Sequence, residues 1–367
     1  MAKILAAMSG GVDSSVAAAL LLEQGHELVG AYMKNWTNEE GLPGDCPWEE
    51  DIRDARAVAD HLGIELRILS LMDAYRERVV DYMLKGYREG VTPNPDVMCN
   101  REMKFGVFRE FALEQGFDAI ATGHYARLRS CGDGPNAEVN VLRGIDDNKD
   151  QTYFLALLQQ AQIRDALFPV GDLPKSEVRS EAERLGIPVA KKKDSQGICF
   201  MGQIKMTDFL SYYIPDNPGS IVTLDGKIVG EHRGLHLYTF GQRKGLKVSS
   251  PIYGKAYVVV EKRPESNELV VAFDELNSSP LYASRCRVTS ISLTNRSLSE
   301  AENLSAQPRY RCPSCSIRIV DGSSDQTNLT IEFSEPQRAL TPGQICAFYD
   351  NDILMGGGIF QQIDYAN

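Results

Sequence analysis

Lys3-Ile-Leu-Ala-Ala-Met8, Ser9-Gly-Gly-Val-Asp-Ser-Ser15 and Val16-Ala-Ala-Ala-Leu-Leu-Leu22 follow one another without interruption. The first is an apolar run of strand length, the last has the composition of a helix, and a glycine turn joins them. Two glycines let the backbone come close to an anion, and the hydroxyls and N–H groups at the helix start can then hold phosphate oxygens at the positive end of the dipole. A Walker loop would need a lysine in G-x-x-x-x-G-K-[ST], and a dinucleotide fingerprint would need a third glycine in G-x-G-x-x-G; neither is present. The segment therefore reads as a nucleotide loop of another kind. Asp13 beside a phosphate makes sense with a divalent cation, Mg²⁺, to offset its charge.

Working outward, apolar runs alternate with helical patterns up to about residue 210. Strands are expected at Glu27–Met33, Glu65–Leu71 and Asp118–Thr122, and helices at Trp48–Leu62, Ala74–Tyr87 and Phe105–Gln115. This alternation predicts an α/β fold whose N-terminal domain, residues 1–210, is a parallel sheet covered on both faces, with the nucleotide at the carboxyl ends of the strands. Beyond it the texture becomes short β-rich runs separated by turns. A small β-rich central domain over 211–280 and a C-terminal β-barrel over 281–367 are expected, with the polar stretch Asn295–Gln307 as a surface loop.

At 367 residues and 43% hydrophobic, the chain can bury a full core and carry appended modules. Its short apolar start ends in glycines and not in a cleavage site, and no stretch reaches the length of a membrane span, so a soluble, cytoplasmic protein is expected. Eight cysteines are too sparse here for a secreted disulfide scaffold, and their thiols should be mostly reduced. The net charge of −11 argues mildly against nucleic acid, but local basic clusters matter more than the sum. The candidates are Lys191 to Lys193, Arg243 with Lys244 and Lys247, and Arg309 with Arg311.

Two cysteines sit in suggestive surroundings. In Pro93-Asn-Pro-Asp-Val-Met-Cys-Asn100 the prolines stiffen the approach, which puts Cys99 at a loop end or in the first turn of the following helix. There the helix N-terminus, Arg101 and Lys104 would favour a reactive thiolate; the plainer alternative is a small buried hydrophobe. In Ala190-Lys-Lys-Lys-Asp-Ser-Gln-Gly-Ile-Cys-Phe200 a cationic run precedes Cys199. Cys312-Pro-Ser-Cys315 is a third feature, open to a zinc site completed by Cys286 and Cys346, to a redox role, or to no role.

Taken together, these stretches resemble the tRNA-specific 2-thiouridylases, which belong to the ATP pyrophosphatase (PP-loop) enzymes, along essentially the whole chain. The matching residues are Met8 to Ser15, Met33-Lys-Asn-Trp36, Thr92 to Asp96 with Cys99-Asn100, Ala121-Thr-Gly-His-Tyr125, Asn148-Lys-Asp-Gln151, Lys191 to Ser195 with Gly197 to Phe200, Gly241 to Leu246, Thr341 to Gln344 and Gly356 to Ile359. Other PP-loop enzymes, the small-molecule synthetases among them, share the nucleotide loop but lack the cysteine pair in these contexts. Cys312 and Cys315 depart from the family pattern.

The resemblance implies ATP-dependent 2-thiolation of the wobble uridine of tRNA. ATP with Mg²⁺ adenylates the C2 oxygen, a persulfide on Cys199 supplies the sulfur, and Cys99 is the partner thiol. Cys99 either closes a transient disulfide with Cys199 as sulfide leaves or assists direct attack by the persulfide. A cysteine desulfurase or a sulfur-relay protein would load Cys199. Ala7, Met8, Ser9, Gly10, Gly11, Val12, Asp13, Ser14 and Met33 would line the ATP site, with Gly123 near the adenosine. Asn94, Pro95 and Asp96 would meet the target base, Asp96 as an acid or base. His124, Lys149, Asp150, Gln151, Arg309, Tyr310 and Gln344 would contact tRNA, although a lone histidine at a strand end also reads as a hydrogen-bonded structural residue.

Overall fold

The computed structural model describes residues 1–38, 41–44, 48–132, 137–194, 202, 204–275, 279–322 and 327–365. Cys199 and Cys46 lie outside them. The N-terminal sheet is built from β1 (Lys3–Ala7), β2 (Glu27–Lys34), β3 (Glu65–Ser70) and β4 (Ala119–Ala121), all parallel. A hairpin, β5 (Ala126–Cys131) and β6 (Glu138–Arg143), intervenes before β7 (Ala166–Leu167) completes the order β3-β2-β1-β4-β7. Side chains alternate across a strand, so Leu5, Val29 and Ala31 pack on one face with Phe105 and Phe108, while Ile4, Ala6 and Leu28 pack on the other with Ala18 and Leu21. Both faces are buried, which is why these strands read as continuous apolar runs. The chain order reverses between β1 and β4, and the carboxyl ends of these two strands carry Met8–Gly11 and Thr122–His124.

Helix α1 (Val12–Glu23) and helix α2 (Trp48–Leu62) follow β1 and β2. The helical stretch before β4 runs over 95–114, starting ten residues earlier than its apolar pattern suggests. Asn94 caps it by accepting the Val97 N–H at 3.1 Å, and Pro95 fills the first position, where the lack of an N–H costs nothing. Between Cys99 and Val107 it winds as a π-helix, with Gly106 at φ −105° and ψ −105° inside it. Such insertions are frequent at functional sites.

The central sheet comprises β8 (Gly219–Thr223), β9 (Ile228–His232), β10 (Tyr257–Arg263) and β11 (Glu268–Phe273), in the order β10-β11-β8-β9. Six further strands close a barrel: β12 (Tyr282–Leu293), β13 (Leu304–Gln307), β14 (Cys315–Gly322), β15 (Asn328–Arg338), β16 (Ile345–Asp350) and β17 (Ile353–Tyr365). Their order is β12-β15-β14-β13-β16-β17, and β17 pairs back with β12. Val288, Ile331, Phe333, Phe348 and Phe360 fill the interior.

One sequence expectation needs correction here, and one pairing had no expectation attached to it. Asn295–Gln307 is not wholly a surface loop: its last four residues form β13, and Gln307 is buried. Four residues with only two apolar ones leave no periodicity to read, and pairing with β14 and β16 makes the strand. The hairpin β5-β6 does not stay with the N-terminal sheet: β6 pairs with β17, Leu142 against Ile353, and extends the barrel sheet.

Candidate active site

The nucleotide loop is held by contacts within five residues. Ser9 N–H donates to Ser14 Oγ at 3.2 Å, the two hydroxyls lie 3.2 Å apart, and Ser14 and Ser15 donate to the Gly11 carbonyl at 3.2 and 2.7 Å. Gly10 has φ +73°, and a Cβ there would fall 2.5 Å from the Asp51 carbonyl oxygen, so only glycine fits. Gly11 precedes α1 in extended geometry without any side-chain cap. The first-turn N–H groups of a twelve-residue helix are thus left to a ligand, which is the chemistry a phosphate needs. Gly123 approaches from β4 so closely that a Cβ would lie 2.7 Å from Ser14 N. Ala7, Met8, Val12 and Met33 complete this corner; Met8 and Val12 are buried, and Met33 packs on the core that includes Leu5 and Val29.

Asp13 does not point into solvent alone. Its Oδ1 accepts the Tyr125 hydroxyl at 2.8 Å and Lys175 Nζ at 2.6 Å. Lys175 also reaches Asp194 Oδ1 at 2.8 Å, and Asp194 collects Lys149 and Arg179, each at 2.7 Å. Burial alone would raise the Asp194 carboxyl, but hydrogen bonds and charge from Lys149 and Lys175 outweigh it and hold the group down at about 2. Burial first, and then the Asp13 charge, push the Tyr125 phenol far up, so it remains a donor. Lys175 and Asp194 were not singled out from the sequence. The sequence around Lys175 shows only Pro174 at a helix start (Lys175–Arg184), which does not point to Asp13 or Asp194.

Asn94, Pro95, Asp96 and Cys99 sit on one short segment. Asn94 is the helix cap, Asp96 is half-buried, and Cys99 is 1% exposed among Trp36, Tyr75, Met83 and Met103. Cys99 thus lies neither at a loop end nor in the first turn, the two expected places, but in the second turn of a helix that begins at Pro95, and it faces an apolar pocket rather than open solvent. Arg101, expected to act on that thiol, instead binds Glu102 at 2.7 Å. Asn100 is buried as well, its Nδ2 on the Asp96 carbonyl at 3.1 Å and its Oδ1 without a partner.

The residues expected to touch RNA divide into two groups. His124 is 5% exposed, bonded to Thr122 Oγ1 at 2.6 Å and packed between Phe105 and Phe168; burial, reinforced by Lys104, keeps its pKa low. It has no exposed face here and serves as a packing residue. Asp150 is also buried: it pairs with Arg143 at 2.7 Å and accepts from Gly144 and Thr152. Gln151 accepts the Tyr125 N–H at 3.0 Å, and Lys149 holds Asp194. Lys192, in the basic run, is bound to Asp51 at 2.9 Å and Asp54 at 2.6 Å, leaving Lys191 and Lys193 exposed.

The barrel residues, by contrast, gather beside the Asn94 segment. Arg309 donates to the Ala339 carbonyl at 2.7 Å, Tyr310 packs on Phe154 with ring centroids 4.4 Å apart, and Gln344 Nε2 donates to the Thr92 carbonyl at 2.8 Å. Tyr153 donates to the Ile345 carbonyl at 3.0 Å and interacts with the Asn94 side chain. An open cavity of about 650 Å³ lies on this side of the barrel, lined by Arg309, Arg338, Cys312 and Cys315 among others. Cys286 and Cys346 do not join that pair. They are buried in the barrel core, burial pushing Cys286 up to about 12 and Cys346 well above the usual thiol range, and no cluster of three metal-ligating side chains exists among the described residues.

Three family profiles match successive parts of the chain: "tRNA methyl transferase HUP domain" over residues 2–203, "tRNA methyl transferase PRC-barrel domain" over 207–273 and "Aminomethyltransferase beta-barrel domain" over 283–360. Full-length relatives carry a different chemical name. The "tRNA-specific 2-thiouridylase MnmA" of Akkermansia muciniphila is 56% identical over 99% of this chain and 100% of its own. Those of Enterococcus faecalis and Proteus mirabilis are each 44% identical over 98% of this chain and cover 95% and 97% of their own lengths. The profile descriptions name fold modules and the relatives name whole enzymes, so the full-length agreement decides the family. The chain belongs to the tRNA-specific 2-thiouridylase family.

Proposed function

We propose that this chain 2-thiolates the wobble uridine of tRNA in two chemical steps that its N-terminal domain brings together. The observation that carries the reading is a glycine loop with an uncapped helix start at the reversal point of the sheet, in the same module as the Asn94–Cys99 segment. ATP with Mg²⁺ fits the first. The α1 N–H groups would bind phosphate oxygens, Gly123 would lie near the adenosine, and Lys175, now shared by Asp13 and Asp194, would be available to a phosphate as Asp13 turns to the cation.

In the first step the uridine C2 oxygen attacks the α-phosphorus and pyrophosphate leaves. In the second, sulfur from a persulfide on Cys199 adds at C2 and AMP leaves. Cys99 attacks Cys199 Sγ in either of two routes and closes a disulfide with it. Before transfer this frees the outer sulfur as hydrosulfide, which then adds at C2; after direct attack by the persulfide it cleaves the C2–S–S–Cys199 adduct and releases the 2-thiouridine. Asp96, half-buried one turn before Cys99, would act as the acid or base toward the target uridine. Cys99 is covered in this conformation, so its segment must open before either route operates. An external dithiol reductant would reopen the disulfide, a cysteine desulfurase or a relay protein would then reload Cys199, and Arg309, Tyr310 and Gln344 would meet the RNA beside the target base. No helix among the described residues is long and apolar enough to cross a membrane, and we place the reaction in the cytoplasm.

The test is nucleoside mass spectrometry of tRNA incubated with the protein, ATP, Mg²⁺ and a persulfide donor. 2-Thiouridine, formed with one AMP and one pyrophosphate each, is expected. ATP cleavage that ignores tRNA and responds to a small amino acid would overturn the reading.

A further inference from the structure

Five residues, Gly90 to Asn94, lead from the helix Asp81–Arg88 to the cap of the Cys99 helix, and both downstream domains hold them. From the barrel, the Pro342 carbonyl accepts the Thr92 N–H at 2.9 Å and Gln344 donates to the Thr92 carbonyl. Gly343, at φ +90°, is so close that a Cβ would lie 3.0 Å from the Thr92 backbone. From the central domain, Thr239 Oγ1 lies 3.3 Å from Thr92 Oγ1, and Lys262 on β10 donates its ammonium to the Gly90 carbonyl at 3.2 Å. Gly90 itself, at φ +82°, ends the preceding helix by donating to the Tyr87 carbonyl at 3.2 Å.

Lys262 is unusual among these contacts. The residue is half-buried, its ammonium hydrogen-bonded only to the Gly90 carbonyl among the described residues, and burial pushes it down to about 8. No carboxylate forms an ion pair with it among the described residues. Glu261 and Arg263 on its own strand pair with each other at 2.9 Å, and Glu89, next to the accepting carbonyl, pairs with Lys85 at 3.9 Å. The titratable neighbour is His236, itself held low by burial and flanked by Asp216 and Arg233. A cation desolvated without a counter-ion is costly unless a hydrogen bond recovers part of the loss. The cost is borne where the strand of one domain meets the hinge of the segment carrying Cys99.

We propose that Lys262 is a positioning residue: it latches the Gly90 hinge from the central domain, and this latch, with the barrel contacts on Thr92, sets how readily the Cys99 segment opens. The proposal rests on the thiolation reading for its purpose but not for its test. The rate at which iodoacetamide labels Cys99 in the full-length protein, read on the Cys99 peptide by mass spectrometry, reports opening whatever the enzyme's substrate. Lys262→Met should raise that rate about tenfold at pH 7 with the protein still folded by circular dichroism. Lys262→Arg should stay near the wild-type rate.

The ratio of the Lys262→Met rate to the wild-type rate removes the thiol's own ionisation. It should shrink above about pH 8, as the lysine loses its charge, while the ratio of Lys262→Met to Lys262→Arg should not. If Lys262→Met does not fold, Thr239→Val, which weakens the neighbouring contact, should raise labelling several-fold. In thiolation, Lys262→Met should lower kcat and leave the KM for tRNA within about twofold. A folded Lys262→Met whose Cys99 labels at the wild-type rate overturns the latch. Faster labelling without any thiolation in the wild type would leave the latch standing and overturn the function instead.

Discussion

The two glycine-bearing loops of the N-terminal domain are built in opposite ways. The backbone turn of Ser9–Ser14 is held by hydroxyls and amides three to five residues apart and follows from local chemistry: a left-handed glycine, an extended cap and a helix start. Among the described residues, only its Asp13 side chain reaches remote partners, Tyr125 and Lys175. Gly90–Asn94 is held by residues 147 to 252 positions away, on two other domains. The first arrangement suits a site that must present a fixed cradle to every nucleotide. The second suits a segment whose position depends on how the other domains sit, and so on whatever they bind. Under the proposed mechanism the local loop would serve activation and the remote one the thiol.

The comparison breaks most sharply at Gly10. Gly10→Ala places a Cβ 2.5 Å from the Asp51 carbonyl at a left-handed φ, and ATP-dependent pyrophosphate release should fall more than about a hundredfold. The Cys99 labelling rate should stay within about twofold, because nothing remote has moved. Pyrophosphate release at the wild-type rate would show that the loop is only a tight turn.

Lys175→Met should come next, with adenylation lowered about ten- to a hundredfold. Asp13 keeps Tyr125 and Asp194 keeps Lys149 and Arg179, so the fold should survive. A drop confined to the sulfur step, with normal pyrophosphate release, would assign Lys175 to the thiol loop instead.

Gln344→Ala sharpens the other side. It removes a barrel contact on Thr92 and should slow thiolation about tenfold while pyrophosphate release stays within about twofold. Equal losses in both steps would mean that the remote clamp and the local cradle are not separable.

The smallest effect concerns acid. The Asp194 carboxyl is depressed in the folded state, so its contribution is present above the ordinary carboxylate range and is lost as pH falls from about 4 through about 2. With a third of its side chain exposed, solvent screening reduces this to about 1 kcal/mol. Asp194→Asn should flatten the stability curve in that window and nowhere else, which a urea titration at several pH values would reveal.

Much of the site was legible where the signal was local. Gly10, Gly11 and Asp13 stand out as a run, whereas the Asn94-Pro95 pair carries a cap and first-position signature that the apolar pattern does not show, so the expected helix starts only at Phe105. Lys175 carried no such mark, because a lysine at a helix start is ordinary until a carboxylate from 162 residues earlier is seen against it. His124 and Asp150 read as polar residues fit for a surface, and tertiary packing buries both. The strand β13 and the migration of β5-β6 to the barrel could not be read, since pairing partners on β16 and β17 decide them.

By itself the sequence determined the alternation of strand and helix, the glycine turn between β1 and α1 and the change to a β-rich C-terminal part, because hydrophobic period, glycine and proline act on the chain within a few residues. Only the tertiary structure decided that Asp13 shares Lys175 with Asp194, that Cys99 lies under an apolar cover, and that the hinge before it is gripped from two other domains. Those facts depend on which distant groups meet. Charge pairing, desolvation of a cation and the burial of a thiol have no energy until the folded chain removes water from between them.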